Sequence, residues 1–73
     1  MKEGDLILVR NESTWNRNFI KGWDTCPEDH DLHRMTWVES GELGLVISCR
    51  LISCRVLFGK IPLWLEKRHL IKV

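Results

Sequence analysis

Seventy-three residues suffice for one small domain, which buries only about 60% of the surface its unfolded chain exposes. The apolar fraction of 44% and charged fraction of 29% are those of an ordinary globular chain, and no apolar run approaches the ~18 residues of a membrane span. The net charge of +1 lacks the strongly basic balance expected of a nucleic-acid-binding domain.

Met1-Lys-Glu-Gly-Asp leads directly into an apolar run with no signal segment, which predicts an unsecreted, cytoplasmic protein. Residues 5–10, Asp-Leu-Ile-Leu-Val-Arg, are predicted as a buried strand. From 11 to 34 the pattern collapses, and Asn, Ser, Gly, Asp and Pro punctuate a cluster of charges. Trp15, Phe19 and Trp23 stand four apart, the spacing of one helix face, but Gly22 and the Asn, Ser and Thr residues favour an irregular loop. A structureless connection of that length is usually functional or mobile. Residues 35–39 read as a short strand or loop return, 40–42 as a turn, and 43–49 and 53–58 as the strands of a hairpin. Gly59-Lys60 is a tight turn into a strand at 61–65, residues 66–69 are one helical turn, and 70–73 close the chain as a strand. The expected fold is all-β: a single small five-stranded barrel over residues 1–73, with 11–34 as a long inserted first loop and a helical turn before the last strand.

Ser-Cys-Arg occurs twice, at 48–50 and 53–55. A turn centred on Leu51-Ile52 sets Cys49 opposite Cys54 on one face. A cross-strand disulfide, half of a zinc site, and two small semi-buried thiols compete for that pair. An unsecreted chain and the short Cα separation of such positions favour free thiols. Leu51-Ile52 is also poor chemistry for a two-residue turn, which wants positive φ. An apolar tip in solvent needs cover, and that points to a partner.

Gly4-Asp-Leu-Ile-Leu-Val, the variable loop, Gly44-Leu-Val-Ile, Arg55-Val-Leu-Phe, Gly59-Lys and the segment from Leu63-Trp-Leu to Val73 resemble SH3-like small β-barrels. The likeness is greatest to short ones encoded by tailed bacteriophages, cyanophages especially. It covers residues 4–10 and 43–73, and its motif consists of core and turn residues. The resemblance therefore implies a fold and an origin, a virion accessory or a host-factor-binding protein in virion or host cytoplasm, but no activity. The first hairpin departs from the pattern, since Leu51-Ile52 stands where Asp, Asn or Gly is expected.

The residues bear on four chemistries. Cys26, His30 and His33 offer thiolate and imidazole for zinc. With no Cys-x2-Cys pair and with acidic residues between them, solvated histidines in a surface loop are the simpler reading. Cys26 with either histidine is also the sole local nucleophile–base pair, and nothing resembling an oxyanion hole flanks it. No enzyme activity, cofactor or small-molecule substrate is expected. Residues 1–43 hold five Lys/Arg against nine Asp/Glu, and residues 44–73 hold six against one. Those six, Arg50, Arg55, Lys60, Lys67, Arg68 and Lys72, would line a small barrel binding RNA or DNA, the alternative reading. Trp37 and Trp64 are expected in the core, Trp64 because Leu63 and Leu65 bracket it. The expected function is a non-enzymatic protein-interaction or structural module. It would bury Trp15, Phe19, Trp23, Leu51 and Ile52 against a protein partner or a second copy.

Overall fold

The computed structural model describes residues 1–10, 19–29 and 34–73. Seven strands follow in chain order: β1 (Leu6–Val9), β2 (Phe19–Trp23), β3 (Met35–Glu39), β4 (Leu43–Cys49), β5 (Ser53–Phe58), β6 (Ile61–Glu66) and β7 (Leu70–Lys72). A 3₁₀ turn, Lys67–His69, separates β6 from β7. All pairings are antiparallel, in the spatial order β3-β2-β6-β5-β4-β1-β7. No helix among the described residues is long and apolar enough to cross a membrane.

The all-β expectation holds, with the helical turn ahead of the last strand, but five strands and a closed barrel do not. Phe19–Trp23 and Met35–Glu39 pair with each other over five registered positions, so part of the expected first loop is a strand, β2, and its hairpin with β3 docks on β6 through Trp23 and Trp64. Among the described residues the sheet ends in two edges, β3 and β7, and is not closed. β2 forms because Phe-Ile-Lys-Gly-Trp alternates faces: Ile20 and Gly22 are buried while Phe19 and Lys21 are exposed. Its glycine fits by size, since a Cβ there would lie 3.0 Å from Val38 Cγ2 and 3.5 Å from Leu63 Cβ.

The same alternation builds the core. Ile7, Val9, Ile20, Val38, Val46, Cys54, Val56, Phe58, Leu63, Leu65 and Leu70 form a single buried cluster drawn from all seven strands, so the sheet curls around its inner face. Burying each large aliphatic among them contributes about 1.5–3 kcal/mol before chain entropy is set against it. One irregularity matters to the hairpin. The β4–β5 register runs Val46 with Val56 but then Ser48 with Arg55, so Ile47 is an extra residue, a β-bulge. It reverses the alternation after Val46 and turns Cys49 inward beside Cys54.

Cys49 does sit opposite Cys54, and Arg50 N–H donates to the Ser53 carbonyl at 2.7 Å. The thiols are not free, however. They are joined as a disulfide with Cα atoms 4.1 Å apart, because the bulge puts both sulfurs on the inner face at directly paired positions. Among the described residues Cys26 is the free cysteine, and it is buried.

Candidate partner-binding site

The outer face of β2, β3 and β6 carries the side chains whose positions alternate with the core. Phe19, Lys21 and Trp23 project from β2, and Lys21 lies directly opposite Trp37 of β3. Trp64 follows beside Trp23, and Arg55 of β5 beside Trp64. A groove of about 300 Å³ opens here, lined by Phe19, Trp23 and Trp37 and bordered by Lys21, Glu66, Arg68 and His69. Phe19 is 52% exposed and Trp37 54%, large values for side chains of this size.

Of the expected partner-binding residues, Phe19 and Trp23 meet in this groove, and Trp15 lies outside the described residues. Leu51 and Ile52 stand at the tip of the β4–β5 hairpin, both exposed. Lys67 N–H donates to the Ile52 carbonyl at 2.8 Å, which ties the tip to the 3₁₀ turn that borders the groove. The expected core positions of Trp37 and Trp64 are corrected. Leu63 and Leu65 are buried, so the residue between them on a strand must face the other way, and Trp64 is only half-buried. Trp37 shares its parity with Glu39, whose charge marks the solvent face.

The turn that looked chemically poor is held from a distance. Glu28 Oε1 accepts from the Ile52 N–H at 3.2 Å, and Oε2 accepts from the Ser53 N–H at 3.2 Å and from the Ser53 hydroxyl. Arg50 adds a 3.4 Å ion pair to Asp29. The segment 24–29 thus lies over the hairpin end, with Cys26 Sγ 3.6 Å from the buried Ser53 hydroxyl. The Ser53 hydroxyl first, and then the two amides and Arg50, hold the Glu28 carboxyl below its ordinary value of 4.5 against the opposing pull of desolvation. A carboxylate favoured in this way contributes stability that is full above about pH 4.5 and is lost as the pH falls through its lower folded value. Glu28→Gln should therefore melt several degrees below the parent near neutrality, and the two melting curves should converge in acid. A gap that stays constant with pH would show that the charge is not what holds the turn.

The six cations of the nucleic-acid reading spread along the sheet, and several are paired. Lys60 sits in the β5–β6 turn, at the opposite end of β6 from Lys67 and Arg68. Arg68 Nε donates to Glu66 at 2.6 Å, Arg50 pairs with Asp29, and Lys72 Nζ is 3.8 Å from Asp5. Arg55 Nε is buried with no hydrogen-bond partner among the described residues. The Lys2 N–H, donating at 2.9 Å, leads Lys72 and the N-terminus in lowering the Asp5 carboxyl.

Of the zinc candidates, His30 and His33 lie outside the described residues. Among the described residues no group of three or more His, Cys, Asp or Glu is placed to hold a metal ion. No family model, curated protein or solved structure matches the chain.

Proposed function

We propose that this protein is a non-enzymatic interaction module that docks a protein segment on the outer face of β2, β3 and β6. The observation that carries the reading is the aromatic groove itself, where Phe19 and Trp37 are half-exposed beside Trp23 on adjacent strands. Aromatic side chains held rigidly on strands supply contact area at little entropic cost, as interface hot spots do. Lys21, at the border opposite Trp37, favours a segment with apolar anchors and a flanking carboxylate. The succession β6-β5-β4-β1-β7, with a 3₁₀ turn before the last strand, supports reading the sheet as an opened SH3-like small barrel carrying an added hairpin, β2–β3. A partner among virion or host proteins is what the resemblance to the phage barrels would imply.

Panning a random peptide library against the purified protein tests the proposal. Enriched peptides should share apolar anchors beside Asp or Glu. Their affinity should fall about 30-fold in Trp37→Ala, since truncating a hot-spot tryptophan costs about 2 kcal/mol or more, while Lys60→Ala leaves it unchanged. Peptides that bind Trp37→Ala as well as the parent would remove the groove as the site. A salt-sensitive gel shift of RNA or DNA, with no peptide enriched, would favour the nucleic-acid reading instead.

A further inference from the structure

A second outer surface exists, on β7, β1, β4 and β5, and its composition is quite different. The register lays out two apolar rows. Ile71 pairs with Leu8, and Leu8 with Leu43. Leu6 pairs with Leu45, and Leu45 with Leu57. Val73 joins the second row through its N–H on the Leu6 carbonyl at 3.0 Å, and Pro62 continues it beyond Leu57. No charged residue interrupts either row. Leu6 is 56% exposed, Leu43 61% and Val73 72%, and Leu45 and Ile71 are also exposed. Antiparallel strands with one solvated face alternate apolar and polar residues, and Leu-Ile-Leu-Val in β1 does not. Here one face meets the core and the other meets water.

We infer that this leucine face is where a second copy of the chain packs, forming a two-fold dimer of sheets. The exposed side chains present on the order of 500 Å² per copy, so a pair buries on the order of 1,000 Å² before any polar rim is counted, the size at which specific interfaces begin. A two-fold contact needs only one self-complementary patch, and a face without charge carries nothing that repels its own copy. A chain this short also has a thin core, which a second sheet packed about 10 Å away would thicken. The face is separate from the aromatic groove, so the inference does not depend on the proposed function. If both hold, the dimer presents two grooves, and a partner carrying two docking segments would bind with avidity.

Sedimentation equilibrium decides the matter. The parent should move from 8.6 kDa toward twice that mass as concentration rises. Leu45→Glu should raise the dissociation constant at least tenfold without altering the circular dichroism, and Trp37→Ala should leave it unchanged. In the parent, the methyl groups of Leu6 and Leu45 should be shielded from a soluble paramagnetic probe at high concentration, and those of Leu51 should not. A parent that stays monomeric at millimolar concentration overturns the inference. So does a dimer that survives Leu45→Glu, or one that Trp37→Ala dissolves.

Discussion

Gly44→Val is expected to leave the protein unfolded, and Gly44→Ala to cost about 1–3 kcal/mol, as overpacking does. Gly44 lies on the inner face of β4, directly opposite Ile7. A Cβ built there would overlap Val56 Cγ1 and stand 2.9 Å from Phe58 Cε1. Its φ is not positive, so the requirement for glycine is purely one of volume. Both obstructing side chains are core residues on β5, held from behind by the paired β6, and neither can swing into solvent. Against a total stability of roughly 4–11 kcal/mol for a chain of this length, valine's two further carbons exceed what the β4–β5 contact can absorb. Urea denaturation of the alanine variant, with circular dichroism of the valine variant, checks both. Gly22→Ala is the control, because its nearest contact is 3.0 Å and it should be milder. Equal stability of Gly44→Ala and the parent would mean that β4 and β5 do not pair in the register described.

The second large effect concerns the sulfurs. Denatured without reductant, the protein should expose one reactive thiol, that of Cys26, and after reduction all three. The Cys49–Cys54 bridge closes a loop with a sequence separation of only 5. The chain-entropy argument assigns so short a loop about 2 kcal/mol, still a large share of the stability of a small domain. Reductant should therefore lower the melting temperature measurably, and Cys49→Ala should remove that sensitivity. Three reactive thiols in unreduced protein would show that the bridge does not form. Disulfides persist mainly in oxidising compartments, so a thiol count on protein taken directly from its native cell also bears on the expected cytoplasmic location.

How much of this could be read beforehand divides by the range of the cause. β1, β4, β5, β6 and β7 were legible because each is a run of apolar or alternating residues bounded by a turn. The pairing of Cys49 with Cys54 was legible because a hairpin maps sequence distance onto space. β2 was not legible, because Gly22 and the polar residues before it carry a loop's composition, and what makes Phe19–Trp23 a strand is its partner twelve to twenty residues on. The bulge at Ile47 left no local mark, and neither did the reach of Glu28 to Ser53, 25 residues away. The misplaced tryptophans are a different case. Their surroundings were apolar, yet parity with Glu39 and Glu66 held the answer, and neighbours along a strand say nothing of the face between them. The leucine face is hidden in the sequence for the same reason, since β1 reads simply as buried until its two sides are separated.

Glu28 leaves one consequence for how this molecule can vary. Because its carboxylate accepts from the amides of Ile52 and Ser53, the turn between Arg50 and Ser53 is held by hydrogen bonds from outside the hairpin. Leu51, 86% exposed, answers to no neighbour. The anchor and the ornament are encoded far apart, so the loop's apex is a natural grafting point. Foreign epitopes spliced in at position 51 would inherit a rigid pedestal whose grip lies elsewhere in the gene.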